Sequence, residues 1–353
     1  MLKSKYKVVG IMSGTSLDGL DLVCATFEKK DEWEFKILKA NTYSYSAKWK
    51  NTLAKLYYQT PNKIREIEYE YVRLLARNIL DFTNDFYDID FVSSHGHTIF
   101  HKPDQGITLQ IGNTANLSTL INLPVICDFR TQDVTLGGQG APLVPVGDLH
   151  LFKSYSACLN LGGFANVSKI DQKNIIAYDI CALNTVLNKL AGEKGLEYDP
   201  QGSLAKSGKK IPKLFKALES LDYYTKKFPK SLGIEWVSQE IFPIFERFND
   251  EALVDRIHTY NHHVGKQIGK IFSKNDKVLL SGGGTKNIFL ISLLRLYSDA
   301  NFIIPNSEII DFKEALIFAF LGILRFQKKI NCLSSVTGSS RDHCSGKIFY
   351  PEK

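Results

Sequence analysis

Several features that would assign this chain to a class at once are missing from its 353 residues. Its six cysteines form no Cys-x-x-Cys pair, so we expect reduced thiols in a cytoplasmic protein rather than a disulfide framework. The most apolar segment, residues 315–324, has about half the length that spans a bilayer, so it predicts a core helix and no membrane partner. No basic run alternates with aromatic residues, and a nucleic-acid partner is not expected. The basic start of the chain leads straight into a short strand, which does not predict a signal peptide.

What remains is the composition of a soluble globular protein, with 44% hydrophobic and 23% charged residues. The length allows two domains, each with its own core. The net charge of +7 is spread along the chain and suits anionic small molecules.

The most informative stretch is residues 8–21, where an apolar strand enters a turn rich in glycine and hydroxyl groups and returns as a second strand. Gly14 and Gly19 allow backbone N–H groups to approach a ligand closely, and Thr15 and Ser16 add hydroxyl donors. Such a hairpin forms a concavity suited to phosphate oxygens. It is neither a Walker A loop nor a dinucleotide fingerprint, because no Gly-Lys-Ser/Thr follows and the next element is a strand.

The order of predicted elements repeats in the second half of the chain: three strands with a glycine turn, then helices and strands. Gly162 and Gly163 form the second turn, and a strand over residues 277–280 opens into a third glycine-rich loop, residues 282–284, followed by Asn287. This pattern predicts an α/β protein with two similar lobes. The bare backbone of the third loop suits a flat adenosine ring.

The sequence resembles the anhydro-N-acetylmuramic acid kinase family, within the actin, Hsp70 and sugar-kinase superfamily. The motifs that carry the resemblance are Met-Ser-Gly-Thr-Ser-x-Asp-Gly-x-Asp at 12–21, Ser-His-Gly-x-Thr at 94–98, Thr-Leu-Gln-Ile-Gly at 108–112, Asp-Phe-Arg at 128–130, Gly-Gly-Gln-Gly-Ala-Pro-Leu at 137–143, Asn-x-Gly-Gly-x-Ala-Asn at 160–166, Glu-Ala-x-x-Phe-Ala at 314–319 and Val-Thr-Gly at 336–338. They extend over nearly the whole chain.

The resemblance implies two RNase H-like, actin-like ATPase lobes around a central nucleotide cleft. The first lobe is expected to comprise residues 1–134 plus about 331–353, and the second lobe residues 135–330. The implied reaction converts 1,6-anhydro-N-acetylmuramic acid, ATP and water to N-acetylmuramic acid 6-phosphate and ADP, in cell-wall recycling. Mg²⁺ as a cofactor of ATP, a homodimer and a cytoplasmic location are implied as well.

A carboxylate must take a proton from the water that attacks the anomeric carbon. Asp179 is predicted to end a strand over residues 174–179, and it matches the catalytic aspartate of the family by position. An alternative explanation is a structural carboxylate stabilised by the dipole of a predicted helix over residues 185–190. Many relatives read Asp-Thr-Gly-Pro-Gly-Asn here, whereas this chain has Ile-Cys-Ala-Leu over residues 180–183 between Asp179 and Asn184. The change raises a question about the backbone path around the sugar.

The remaining expected site residues fall into two sets. We assign ATP binding to Gly14, Thr15, Ser16, Leu17, Asp18, Gly19, Leu20, Asp21, Gly162, Gly163, Gly282, Gly283, Gly284 and Asn287. We assign sugar binding to His97, Thr98, Arg130, Asn160 and Glu314. The fork of Arg130 suits the lactyl carboxylate of muramic acid, although a surface salt bridge would also explain it. Glu314 would bind a sugar hydroxyl or be an ordinary carboxylate in the first turn of a helix.

The sequence offers two candidate metal sites. His95 and His97 lie two apart on a predicted strand, as zinc ligands do, but the further ligands of such sites are missing. Because the family commonly has glutamine where His97 stands, the resemblance implies that His97 lines the sugar site as a donor, while a structural role is an equally good explanation of His95. Asp18 is the candidate for Mg²⁺, through bound water, because Mg²⁺ keeps most of its waters.

Two other functions remain open at this stage. One is a kinase for a different amino sugar or small metabolite, given the altered segment after Asp179. The other is a non-catalytic sugar sensor gated by nucleotide, or a chaperone-like ATPase. We find no helix-turn-helix ahead of the first strand and no peptide-binding domain after Gly338, which argues against this second class.

Overall fold

The fold is described from a computed structural model that covers residues 3–14, 17–171, 174–228 and 230–352. The strands are β1 Lys5–Ser13, β2 Gly19–Lys29, β3 Trp33–Ser44, β4 Phe91–Lys102, β5 Ile107–Ile111, β6 Val125–Cys127, β7 Ala157–Leu161, β8 Phe164–Asp171, β9 Asn174–Ala182, β10 Lys277–Ser281, β11 Asn301–Ile303 and β12 Lys347–Phe349. The helices are α1 Ala47–Lys55, α2 Pro61–Thr83, α3 Ala115–Ile121, α4 Thr131–Thr135, α5 Val144–Leu151, α6 Asn184–Gly192, α7 Ser203–Ser207, α8 Pro212–Glu219, α9 Ile234–Trp236, α10 Phe242–Glu246, α11 Leu253–Gly269, α12 Ile288–Tyr297, α13 Ser307–Phe326 and α14 Ser334–Thr337. Short 3₁₀ turns occupy Leu56–Tyr58, Pro103–Gln105, Pro200–Gly202, Asp222–Thr225 and Gly283–Lys286, and a π-helical turn lies at Val237–Ile241.

The chain divides into two compact units. Unit 1 comprises Met1–Phe152 and Phe312–Lys353, and unit 2 comprises Lys153–Asp311. The observed boundaries differ from those expected from the sequence, because α5 and most of α13 belong to unit 1. A nearly fully buried ion pair joins Lys313 Nζ to Asp148 Oδ1 at 2.7 Å and fixes α5 against α13. Such tertiary packing leaves no local signal in the sequence.

Unit 1 is built on a mixed sheet. Within the described residues it has seven strands in the order β12-β6-β4-β1-β2-β3, with β5 paired to β4. β1, β2 and β3 are antiparallel, whereas β4 runs parallel to β1 and β6 parallel to β4. α2 presents Tyr71, Val72 and Leu75 to the apolar cluster on one face of this sheet. The carboxyl ends of β1, β4 and β6 therefore lie on one edge, where ligands of open α/β sheets bind.

Unit 2 repeats this arrangement. Its five strands, as far as the structure describes them, follow the order β11-β10-β7-β8-β9, with β7, β8 and β9 antiparallel and β7, β10 and β11 parallel. The order is that of β6-β4-β1-β2-β3 in unit 1. The expectation of two similar α/β lobes is thus confirmed, and α11 and α12 pack with β7 and β10 into the core of unit 2.

The apolar segment 315–324 is a core helix, as predicted. Residues 315–321 of α13 are all at most 1% exposed. Gly10 in β1 permits this packing, because a Cβ there would lie 2.0 Å from the carbonyl oxygen of Ala315. No helix among the described residues is both long and apolar enough to cross a membrane.

Candidate functional site

The first glycine hairpin joins β1 to β2, as the sequence predicts, and pairs Met12 with Asp21. Thr15 and Ser16 lie outside the described residues. Leu17 has a positive φ of 61°, in the left-handed region. Gly19 is required for a close approach to β3, since a Cβ would lie 2.5 Å from the carbonyl oxygen of Tyr43.

The other predicted residues of this hairpin have different environments. Leu20 is fully buried in the core of unit 1, so its side chain is structural. The Asp21 carboxylate accepts a hydrogen bond from Thr42 Oγ1 at 2.6 Å. Asp18 is exposed, and its oxygens have the chemistry that suits a water-mediated contact to Mg²⁺.

A buried chain of hydrogen bonds starts at the end of β1. Ser13 Oγ lies 2.9 Å from His97 Nδ1 and 2.7 Å from the hydroxyl of Tyr45, which lies 2.8 Å from that of Tyr71. Burial lowers the pKa of His97 to about 4, so the ring is neutral at physiological pH. The sequence did not point to Ser13, Tyr45 or Tyr71, because their partners lie far away along the chain. Thr98, next on β4, is half-buried.

Arg130 follows β6 and reaches back to β4. Its Nε donates to His95 Nε2 at 2.9 Å, and Nη1 donates to the carbonyl of Gly140 at 2.5 Å. Burial and the Arg130 charge lower the pKa of His95 well below its usual value, so His95 accepts as a neutral ring. Among the described residues, Nη2 of Arg130 has no hydrogen-bond partner. The sequence expectation of a surface salt bridge does not describe this arginine.

Glu314 lies well inside α13 rather than at its start. The alternative of an ordinary carboxylate in a first helical turn is therefore wrong, because the helix begins at Ser307. The side chain reaches solvent. The surrounding protein desolvates its carboxyl and so raises the pKa of this group. The positive charges of Lys313 and Arg130 oppose the rise.

The second glycine hairpin joins β7 to β8, as predicted. The carbonyl of Gly163 accepts from the N–H groups of Leu183 and Thr185 at 2.8 and 3.2 Å, and that of Gly162 accepts from Asn184 at 3.3 Å. The N–H groups of both glycines have no partner in the described part of the chain. This turn thus offers two outward backbone donors of the kind that bind phosphate.

The third glycine loop follows β10, as predicted. Its three glycines differ in how closely other atoms pack against them. A Cβ at Gly282 would lie 2.4 Å from Asn160 Oδ1, and one at Gly284 would lie 2.8 Å from Leu161, so both permit close packing on β7. A Cβ at Gly283 would meet nothing within 4 Å. Only Gly283 presents its bare backbone to open space among these three.

Asn287 caps α12. Its Oδ1 accepts from Leu290 N at 2.9 Å, and its Nδ2 donates to Asn261 Oδ1 at 3.2 Å. Both ends of the amide are engaged inside unit 2. Whatever role Asn287 has toward a nucleotide is therefore to hold the start of α12 in position.

Asp179 lies within β9, which continues to Ala182; the predicted end of the strand at Asp179 is wrong. A β-bulge explains the difference, since Asn166 pairs with Asp179 and Ala165 with Cys181, which leaves Ile180 as the extra residue. Bulges redirect side chains and are common beside active sites. The bulge falls in the segment that departs from the family pattern.

The carboxylate of Asp179 is half-buried, and Oδ2 accepts from Leu232 N at 2.9 Å. Burial raises the pKa of this carboxyl, and the Leu232 hydrogen bond opposes the rise. The hydroxyl of Tyr223 donates to the carbonyl of Asp179 at 2.6 Å. α6 begins at Asn184, one residue before its predicted start, and the described hydrogen bond to the carboxylate comes from Leu232 N rather than from α6.

The structure thus brings predicted residues together within each unit. In unit 1 these are the hairpin, His97 and Arg130, all at the carboxyl edge of the sheet; in unit 2 they are Asn160 and the two glycine loops. No pattern in the sequence pointed to Leu232 and Tyr223, which position Asp179.

The comparisons with known proteins agree on one family. The family model for anhydro-N-acetylmuramic acid kinase matches residues 6–351. The anhydro-N-acetylmuramic acid kinase of Aliivibrio fischeri is 31% identical, and the alignment covers 98% of this chain and 99% of that protein. The enzyme of the same name from Pseudomonas fluorescens is 31% identical, and the alignment covers 97% of this chain and 98% of that protein. The enzyme of the same name from Bacillus thuringiensis is 29% identical, and the alignment covers 98% of this chain and 99% of that protein.

Solved structures with a similar backbone were also found. The activator of 2-hydroxyisocaproyl-CoA dehydratase from Clostridium difficile, with bound ADPNP, has a TM-score of 0.45 and 15% identity, covering 91% of this chain and 97% of that one. A ROK-family glucokinase from Streptomyces griseus, in complex with glucose and AMPPNP, has a TM-score of 0.43 and 12% identity, covering 89% and 98%.

Proposed function

The chain belongs to the anhydro-N-acetylmuramic acid kinase family, and from this membership we propose how its residues divide the work of the reaction. It is a kinase that uses ATP and has an alcohol group of a sugar as acceptor. Water attacks the anomeric carbon of 1,6-anhydro-N-acetylmuramic acid, the bond from this carbon to O6 breaks, and O6 takes the γ-phosphoryl group of ATP. The products are N-acetylmuramic acid 6-phosphate and ADP.

Asp179 is the general base in this proposal, and its environment is the observation that carries it. The reaction needs a carboxylate that binds a proton more strongly than an ordinary aspartate but remains ionised at neutral pH. The raised pKa of Asp179, opposed by the one described hydrogen bond to its carboxylate, from Leu232 N, supports this role. The second carboxylate oxygen, Oδ1, is then the atom that receives the proton from water.

Backbone donors bind ATP. The N–H groups of Gly162 and Gly163 suit phosphate oxygens, and the open backbone at Gly283 suits the face of the adenine or ribose. Asn160 is proposed to bind the sugar, and its side chain also packs against Gly282. The first hairpin, Gly14 to Asp21 with Thr15 and Ser16, is proposed to bind phosphate as well. Mg²⁺ screens phosphate charge when bound, and Asp18 would hold its waters.

Apart from Asn160, the side chains proposed to bind the sugar belong to unit 1. Arg130 is anchored through two of its donor nitrogens, which leaves Nη2 for the lactyl carboxylate. His97, Thr98 and Glu314 are proposed to bind sugar hydroxyl or acetamido groups. We further propose a homodimer in the cytoplasm, which analytical ultracentrifugation and cell fractionation would test.

The reaction is tested by mass spectrometry of the product formed in ¹⁸O-labelled water. Hydrolytic ring opening places one label on the anomeric carbon and none in the phosphate. A companion assay follows ADP release with and without the anhydro sugar. Unlabelled sugar, or ADP release that is indifferent to the sugar, would instead favour a different acceptor or a nucleotide-gated sensor.

A further inference from the structure

Three metal-binding side chains of unit 1 meet at a place that the kinase reaction does not use. They are Asp133 on α4, Cys332 after α13, and His343 near the end of the chain. One donor atom of each lies within 4.8 Å of the others, and the side chains are at most 6% exposed. The two C-terminal residues are held face to face, since Cys332 and His343 exchange backbone hydrogen bonds of 3.1 Å in both directions.

One ring nitrogen of His343 is left without a described hydrogen-bond partner at this place. Its Nδ1 lies 3.2 Å from the carbonyl of Arg341, which can only accept, so Nδ1 carries the hydrogen. Its Nε2 is buried, has no hydrogen-bond partner among the residues that the structure describes, and lies 3.6 Å from Asp133 Oδ1. That separation is too long for a hydrogen bond. A buried ring nitrogen without a described hydrogen-bond partner therefore faces a carboxylate oxygen, and a cation between the two atoms would satisfy both.

We propose that Asp133, Cys332 and His343 form a structural Zn²⁺ site. A tetrahedral zinc ion with bonds of about 2.0–2.3 Å separates its ligand atoms by roughly 3.3–3.7 Å. Cys332 Sγ and His343 Nε2 lie 3.1 and 3.6 Å from Asp133 Oδ1, which is close to these separations, and all three donor atoms lie within 4.8 Å of one another. A thiolate with an imidazole favours zinc over magnesium or calcium. Water would complete the four ligands.

The surroundings resemble those of metal ligands. Metal-bound histidines commonly donate their other N–H to a backbone carbonyl, as His343 does to Arg341. Thr337 Oγ1 donates to Asp133 Oδ1 at 2.7 Å, and Gly140 N donates to Oδ2 at 2.7 Å, which fixes the carboxylate. On binding, Cys332 releases its thiol proton to solvent and exchanges its hydrogen bond to Asp133 for the bond to zinc.

The ion would fasten the segment after α13 to α4. The ligands are buried, so zinc would enter while residues 331–345 dock during folding. The test therefore uses the full chain, expressed in zinc-supplemented medium and also refolded from denaturant with excess zinc chloride. Zinc per chain is measured by inductively coupled plasma mass spectrometry after desalting, for the wild type, Cys332→Ser, His343→Gln and the control Cys344→Ser.

We expect about one zinc per chain in the wild type and in Cys344→Ser, and at least roughly tenfold less in the two ligand variants. Cys344 is the matched control because it neighbours His343 but is not one of the three clustered ligands. Wild-type protein that holds no more zinc than Cys332→Ser would overturn the proposal and leave a hydrogen-bonded triad.

A second measurement covers the case in which a ligand variant fails to fold. Wild-type protein refolded with Co²⁺ in place of zinc should show a thiolate-to-cobalt charge-transfer band in the near ultraviolet and visible bands of tetrahedral Co²⁺. Cobalt-loaded protein without the charge-transfer band, or protein that takes up no cobalt, would contradict ligation by Cys332.

Discussion

Units 1 and 2 have the same strand order but arrange the polar side chains beside their sheets differently. In unit 1, Ser13 and His97 belong to a neutral, buried hydrogen-bond chain, and Arg130 is anchored by His95 and Gly140. In unit 2, the carboxylate of Asp179 accepts one described hydrogen bond, from Leu232 N. Groups that are hydrogen-bonded to each other give a rigid binding shape, whereas a carboxylate with few partners keeps its basicity.

The largest effect should come from replacing the carboxylates of the two units in turn. Asp179→Asn removes the proposed base, so kcat should fall by about 10²–10⁴-fold. Glu314→Gln keeps a group that can bind a hydroxyl, so it should act mainly on KM for the sugar. Steady-state kinetics with the anhydro sugar measures both. Equal losses of kcat in the two variants would break the distinction between units.

Thermal unfolding provides the control for Asp179→Asn. The folded-state pKa of Asp179 is raised, so the folded protein binds this proton more tightly than the unfolded chain does. Its contribution to stability is lost as pH rises through that pKa, and ionised Asp179 is a net cost at pH 7. The variant should therefore keep or raise Tm while losing activity. A lower Tm would point to a structural role.

The pH dependence of the rate sharpens the same comparison. The base works ionised, so kcat/KM should fall by about tenfold per pH unit below the pKa of Asp179, starting at a higher pH than for an ordinary aspartate. His95 and His97 have lowered pKa values and stay neutral, so neither should produce a limb near pH 6–7. Should the acidic limb persist in Asp179→Asn, another group must be titrating.

The third glycine loop should separate packing from ligand binding. Gly282 has φ 83° and ψ 162°, a conformation nearly exclusive to glycine, so Gly282→Ala should cost about 1–3 kcal/mol of stability. Gly283→Ala meets open space and should leave Tm unchanged, but it should raise KM for ATP if the nucleotide lies there. Thermal melting and ATP kinetics on both variants test this. An unchanged KM in Gly283→Ala would remove Gly283 from the ATP site.

The sequence was sufficient for features that depend on neighbouring residues. The glycine turns at Gly162 and Gly282, the apolar helix and the position of Arg130 after β6 follow from local patterns of strands and turns. The bulge at Ile180, the position of Glu314 inside α13 and the unit boundaries depend on which distant segments pack together. Asp133, Cys332 and His343 meet for the same reason. For these three residues the sequence held one signal, the Val-Thr-Gly motif at 336–338, because Thr337 of that motif donates a hydrogen bond to Asp133.

The smallest effect is expected at His97 in unit 1. Its Nδ1 is bonded to Ser13 Oγ, and its neutral ring packs beside Tyr71 with 6.2 Å between centroids. A glutamine amide can replace that hydrogen bond and has nearly the same volume, so His97→Gln should change kcat/KM by only a few-fold. His97→Leu is the matched control, because it removes a polar partner from Ser13 in a buried place and should cost about 1–3 kcal/mol. Kinetics and melting together decide the role: a large activity loss in His97→Gln at unchanged Tm would make the imidazole itself part of the chemistry, and unit 1 would then no longer be only a binding surface.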